Sequence, residues 1–174
     1  MRKNCKYLQE DLNSYNFSSY LEELSENLLL TYRLGNADIR LNMDLDENIF
    51  FDMDTSVPLG IIINELVSNS LKHAFPDRDN GEIRIKLHRE GNEECKSGGL
   101  KRDNFVLAVS DDGIGIPENL DIEDLDSLGL QLVTSLADQL DGELELKRNS
   151  GTEFTLSFTV TKRNNQAFEP ALRN

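Results

Sequence analysis

Between Leu59 and Phe75 the chain sets apolar residues at Ile63, Leu66, Val67, Leu71 and Ala74 and polar ones at Asn64, Glu65, Ser68, Asn69, Lys72 and His73. At about 100° per residue the two groups fall on opposite halves of a helix. The apolar half is expected to pack on a core. Asp54-Thr55-Ser56 offers capping oxygens, Pro58 suits a first turn, and Pro76 cannot continue the helix. Asp77-Arg78-Asp79-Asn80-Gly81 then reads as a turn. Asn104 to Ser110 is apolar and β-branched, the pattern of a buried strand, and it delivers Asp111 at its end. A second helix is expected from Ser127 to Leu140, stopped by Asp141-Gly142.

The remaining elements follow from shorter signals. Ser19-x-x-Glu22 reads as a capping box opening a helix striped by Leu21, Leu24 and Leu28 and ended by Gly35. Ile39, Leu41 and Met43 alternate as a strand, with Ile49 to Met53 as its expected partner across Asp46-Glu47-Asn48. Glu82 to Arg89 and Asn104 to Ser110 read as strands flanking a charged, glycine-bearing loop, Gly91 to Asp103. Glu143 to Lys147 and Thr152 to Val160 form a final hairpin around Asn149-Ser150-Gly151. Helices and hairpins mixed this way predict an α+β two-layer sandwich. Residues 1–16 read as a linker, 17–162 as the folded domain and 163–174 as a polar tail.

Composition narrows the partners. A chain of 174 residues is sized for one core. A formal charge of −14 disfavours nucleic acid and anionic membranes, whose phosphates it would repel. No apolar run is long enough to span a bilayer and no signal peptide is read, so a cytoplasmic location is expected. Cys5 and Cys95 make neither a disulfide framework nor a zinc spacing.

The chemistry lies in three places. The polar half of the Leu59–Phe75 helix carries short Asn and Ser where a solvated helix would carry a Glu/Lys ladder. These residues are mediocre helix formers and need another reason to be there. Asp111-Asp112-Gly113-Ile114-Gly115-Ile116-Pro117 joins a carboxylate to glycines that permit positive φ and close backbone approach, a means of holding a flat base. Pro117 and the glycine spacing argue against a dinucleotide turn, and the loop lacks the ligand set of an EF-hand. Gly129, near the start of the second helix, leaves backbone N–H groups open to a phosphate.

In that order Glu65-x-x-x-Asn69, Asp111-x-Gly113-x-Gly115, Gly129-Leu130 and Gly151-Thr152 resemble the N box, the two glycine boxes and the terminal Gly-Thr of a nucleotide-binding family. It is the ATPase family shared by gyrase, the heat-shock-90 chaperones, histidine kinases and mismatch-repair proteins. Ile62 to Pro76 and Ser127 to Val133 are most similar to sensor histidine kinases of the HWE-related kind, and the resemblance covers Phe17 to Lys162. It implies a Bergerat-type fold, a mixed sheet with helices on one face and ATP between helix and lid. It also implies site roles. Asn69 would ligate the Mg²⁺ bridging the phosphates, and Glu65 would order metal or water, which makes these two the catalytic pair. Lys72 and His73 would lie near phosphates and ribose, and Asp111 would accept the adenine amine. Gly113 and Gly115 would admit the base, Ser127, Leu128, Gly129 and Leu130 would form the phosphate turn, and Thr152 would support the adenine pocket.

The sequence departs from that pattern twice. Ser127-Leu128-Gly129 stands where G-x-G is usual. The lid between Pro117 and Ser127 carries Glu118, Asp121, Glu123, Asp124 and Asp126 with no Lys or Arg, and it lacks the phenylalanine of many relatives. Phosphate binding then falls to Lys72 and the helix end at Gly129. Of the two histidines, His73 lies inside the implied site and His88 reads as a solvated strand-end residue; neither stands in a phospho-acceptor context. The acceptor histidine would sit on a helical dimerisation domain upstream in a parent chain, and a response-regulator receiver domain would be the next partner. The alternatives are a serine kinase of the anti-sigma-factor type, which shares the fold, and a nucleotide-binding interaction module without catalysis.

Overall fold

The alternation along three strands builds the centre of the molecule. In a computed structural model of the protein, β4 (Asn80–Glu94) buries Ile83, Ile85 and Leu87, β5 (Leu100–Asp111) buries Phe105, Leu107 and Val109, and β7 (Thr152–Arg163) buries Phe154, Leu156 and Phe158. The intervening residues, among them Arg84, Val106 and Ser157, point away from that core face, as the period-two pleat requires. The structure describes residues 15–31, 38–76, 78, 80–94, 100–117, 128–148 and 150–163. The expected helix stop at Gly35, the turn residues Asp77 and Asp79, Cys5, Cys95, the acidic stretch from Glu118 through Ser127, Asn149, most of the expected linker and the tail beyond Arg163 lie outside the described residues.

With β2 (Asp38–Leu45) and β6 (Glu143–Lys147) the sheet has five strands in the order β2-β4-β5-β7-β6. β2 runs parallel to β4 and the other pairs are antiparallel, so the sheet is mixed. Among the described residues three helices, α1 (Phe17–Thr31), α2 (Met53–His73) and α3 (Leu128–Gln139), bury their apolar stripes on its core face. This is the expected α+β sandwich. A two-stranded piece, β1 (Tyr15–Asn16) with β3 (Phe50–Phe51), brings Phe17 and Phe51 into the core. There Phe17, Phe51, Phe105 and Phe158 form a chain of ring contacts with centroids 4.9–5.8 Å apart. Each buried ring contributes roughly 1.5–3 kcal/mol by removal from water.

Several local expectations need correction. Asp46-Glu47-Asn48 is a turn, with Asn48 at φ +60°, but it joins no hairpin. β2 takes β4 as its partner and Phe50–Phe51 takes β1. The Asp46 carboxylate accepts from Arg89 N at 2.7 Å and contacts His88 Nδ1 at 3.1 Å, which ties the end of β2 to β4. The Arg89 N–H and then the His88 ring hold the Asp46 carboxyl below its ordinary range. His88 also has Asp44 Oδ2 3.4 Å from Nε2, so its ring lies between two carboxylates and is not simply solvated. Of the stretch read as a loop, Gly91 to Asp103, the described residues 91–94 and 100–103 are the outer arms of β4 and β5, paired beyond a register shift between Arg89 and Asn92. The N-cap of helix α2 lies two to four residues before the expected caps Asp54, Thr55 and Ser56. Asp52 is its N-cap, accepting from Thr55 N at 3.0 Å, and Pro58 lies inside the helix. In α1 the cap is Asn16, accepting from Ser19 N at 3.3 Å, and Ser19 is within the helix.

Candidate nucleotide site

Asp111 is the last residue of β5, set between Ile83 on β4 and Thr152 on β7. Its Oδ1 accepts two backbone N–H groups, Gly113 at 3.0 Å and Thr152 at 3.3 Å. Its Oδ2 accepts the Ser70 hydroxyl at 2.8 Å. Three donors from three elements therefore hold one carboxylate in a single orientation, and charge-assisted bonds of this kind are the stronger class. The next residue pins the turn itself. Asp112 N donates to Glu82 O at 3.1 Å and Asp112 Oδ1 accepts from Glu82 N at 2.8 Å, with Arg78 3.3 Å from Oδ2.

Two glycines are needed for the geometry. A Cβ on Gly113 would lie 2.4 Å from both Cβ and O of Ala74, so only glycine lets the turn ride against the end of α2, where Ile114 N donates to Ala74 O at 2.9 Å. Gly115 takes φ +75° beside the Gly151 carbonyl.

These segments enclose a cavity of about 340 Å³, within the range of small-ligand pockets. Its walls are apolar: Leu66, Ala74, Ile114, Ile116, Leu130 and Phe154. Its polar groups are Asn69, Ser70, His73, Asp111 and Thr152. Of the residues singled out from sequence, Asn69, His73, Asp111, Gly115, Leu130 and Thr152 line this one space. Glu65, half-buried one turn before Asn69, accepts from Asn64 Nδ2 at 3.3 Å. Its Oε2 faces α3, 2.7 Å from where a Cβ on Gly129 would be, so glycine at that position leaves room for the carboxylate. Lys72 is exposed and does not line the cavity, and Leu128 at the start of α3 is 83% exposed. Ser127 lies outside the described residues. Ser68, counted on the polar half, is buried and donates to Glu65 O at 3.2 Å. Among the described residues no three His, Cys, Asp or Glu side chains converge to hold a metal.

Sequence reasoning missed Ser70. Its signal was available: in helical arithmetic it falls one turn after Leu66 and one before Ala74, a hydroxyl inside the apolar stripe.

An apolar cavity with a fixed carboxylate, between a helix and the end of a mixed sheet, is the kind of site a nucleotide-binding domain of the α+β sandwich class offers. Residues 54–162 match the family of histidine kinase-, DNA gyrase B-, and HSP90-like ATPases, and the chain belongs to it. ATP is the nucleotide of that family. Over 129 residues the chain is 34% identical to the sensor histidine kinase PdtaS of Mycobacterium tuberculosis, covering 72% of this chain and 23% of the relative. It is 27% identical to blue-light-activated histidine kinase 2 of Erythrobacter litoralis, covering 74% and 34%. The chain thus spans about a quarter to a third of these relatives. The histidine kinase domain of the Erythrobacter litoralis EL346 blue-light activated kinase superposes with a TM-score of 0.65 at 27% identity, over 82% of this chain and 60% of that one. The catalytic domain of histidine kinase ThkA, at 18% identity and a TM-score of 0.63 over 83% and 92% of the two chains, shares the fold. No helix among the described residues is long and apolar enough to cross a membrane.

Proposed function

We propose that this chain is the ATP-binding catalytic part of a two-component sensor histidine kinase, acting in the cytoplasm. It would deliver the γ-phosphate of ATP to a histidine on a helical dimerisation domain, from which a response-regulator receiver domain takes it. The observation that carries the reading is the Asp111 carboxylate, oriented by Ser70, Gly113 N and Thr152 N at one end of an apolar slot. A fixed acceptor there pairs with the exocyclic amine of adenine and opposes the carbonyl of guanine. Leu66, Ile114 and Ile116 offer the base flat apolar contact. The triphosphate would leave the slot along the polar edge of α2, past Asn69 and His73 and toward the start of α3 at Gly129. Lys72 supplies the nearby positive charge on the same helix.

The donor set fits magnesium. Mg²⁺ keeps most of its waters and binds through one or two protein groups plus substrate phosphates. A single amide oxygen at Asn69, which lines the cavity, would be a site of that kind. When bound, the ion neutralises charge on the phosphates. Glu65, one turn away on the same helix, would orient a bound water or the metal shell. Positioning and charge stabilisation supply most of the catalysis in phosphoryl transfer, so the acceptor must come in line with the γ-phosphate.

The test is transfer in trans. Alone with radiolabelled ATP, the chain is expected to acquire no acid-labile, base-stable phosphate. With the helical domain of its parent it is expected to label that domain's histidine, slowly, since linkage no longer supplies effective concentration. Robust self-labelling of His73 or His88 would overturn the reading, and a labelled serine on a partner would replace it with the anti-sigma-factor type.

Asn69→Ala carries a second expectation. Calorimetric titration should show native ATP affinity rising with Mg²⁺, and the variant should lose at least about tenfold of that gain, about 1.4 kcal/mol. Its fold should survive, because Asn69 is half-buried at the cavity and outside the core. Equal Mg²⁺-ATP affinity in the two proteins would remove Asn69 from the metal site.

A further inference from the structure

The Ser70 hydroxyl does two things at once: it donates to Asp111 Oδ2 at 2.8 Å and it lines the cavity. We propose that Ser70 is a specificity-determining residue: with its proton given to Asp111 it sets a second acceptor beside Oδ2 and so disfavours 6-oxo purines. This rests on the nucleotide reading above and assigns a further residue to the same site.

A hydroxyl has one proton and two lone pairs, and a carboxylate has no proton to return. With its proton committed to Asp111, Ser70 presents only lone pairs to the cavity. Asp111 Oδ1 is occupied by the Gly113 and Thr152 N–H groups, which leaves Asp111 Oδ2 and, bonded to it, Ser70 Oγ as two adjacent acceptors in a cavity that Asn69, His73 and Thr152 also line. A 6-amino purine brings two N–H hydrogens to that pair, whereas a 6-oxo purine brings an oxygen against two acceptors. A site built to pair with a particular polar group discriminates strongly against a ligand that leaves it unpaired.

Ser70 also denies the position to water. Its side chain fills the space between α2 and the end of β5, and the residue is 9% exposed. Removing the hydroxyl leaves a water-sized gap beside a carboxylate, the polar kind of gap that water occupies. A water there can donate one hydrogen to Asp111 and the other to O6 of a 6-oxo purine, which cancels the repulsion. Loss of Ser70 is therefore expected to admit the wrong base more than to lose the right one.

Calorimetric affinities of the full chain for ATP and ITP, which tests position 6 without the 2-amino group of guanine, measure this directly. The native chain should prefer ATP by at least about tenfold. Ser70→Ala, with one of the three donors to Asp111 gone, should bind ATP more weakly than native and show an ATP/ITP ratio reduced by about tenfold. Alanine raises helix propensity at this position in the last turn of α2, so the variant should fold. Ser70→Thr keeps the hydroxyl and should restore the ratio to within about threefold of native. A packing role alone would weaken both nucleotides equally. An unchanged ratio in Ser70→Ala, with native selectivity intact, would overturn the proposal while sparing the nucleotide site. Native protein that binds neither nucleotide would overturn both.

Discussion

Asp111→Asn is expected to weaken ATP binding by about ten- to a hundred-fold and to raise the affinity for GTP. A hydrogen bond to a charged acceptor contributes roughly 1.5–3 kcal/mol, which sets the loss. The gain comes from orientation. The oxygen of the new amide must stay where Oδ1 is, because Gly113 N and Thr152 N both donate to that position. The NH₂ then takes the place of Oδ2 and points a donor at the base edge. That donor opposes the adenine amine and meets the guanine carbonyl. Asp111→Ala should show the ATP loss without the GTP gain, since it supplies no donor. Competition of ATP and GTP against a fluorescent nucleotide would read all three proteins. If Asp111→Asn keeps its ATP preference, the carboxylate does not read the base.

The candidate site could be read from residue types because the chemistry proposed for it is local. Glu65 and Asn69 share one helix, Asp111 through Gly115 is one turn, and each spacing is meaningful without knowledge of the fold. What joins them is not local. Ser70 and Asp111 are 41 residues apart, and their bond exists only because α2 crosses the end of β5. The walls of the slot come from α2, the turn after β5, α3 and β7, and no periodicity along one element announces that they meet. Lys72 shows the converse: a cation on the expected helix half is not thereby a cation in the cavity.

The fold was legible where an element carries its own pattern. The α2 stripe and the run from Phe105 to Val109 needed no partner to be recognised. Pairing was misread where two local signals competed with a distant one. Asp46-Glu47-Asn48 is a good turn between two short apolar stretches, and that is the signature of a hairpin. The preference of β2 for a parallel place beside β4, 42 residues on from Asp38 to Asn80, leaves no mark in the turn. Gly91 and the charges around it read as a loop for a similar reason. β7 continues beside β5 as far as Leu100 opposite Arg163, and this ladder keeps a polar segment extended. The start of α2 was placed late because Asp54, Thr55 and Ser56 are all plausible caps, and only the bond from Thr55 N to Asp52 decides among them.

Gly151→Ala should be the most damaging small substitution near the site. Gly151 sits at φ +127°, where side chains are strained, and a Cβ there would lie 1.9 Å from the Asp111 carbonyl oxygen, 2.9 Å from its carbon and 3.1 Å from Asp112 Cα. All three are backbone atoms, so no rotamer change relieves the overlap. The start of β7 must move away from the end of β5, and the bond from Thr152 N to Asp111 goes with it. Backbone strain of this kind costs about 1–3 kcal/mol and overpacking about as much again. A loss of about 3 kcal/mol or more follows, near 10 °C in melting midpoint for a chain of this size. Nucleotide affinity measured below that midpoint should fall as well, because the carboxylate loses one of its three donors. Gly91→Ala is the control. Gly91 also has positive φ, at +73°, but nothing lies within 4 Å of its Cβ position and it is remote from the cavity. It should cost about 1 kcal/mol and leave nucleotide binding unchanged. If Gly151→Ala melts and binds like Gly91→Ala, the close approach of β7 to Asp111 is not what organises the site.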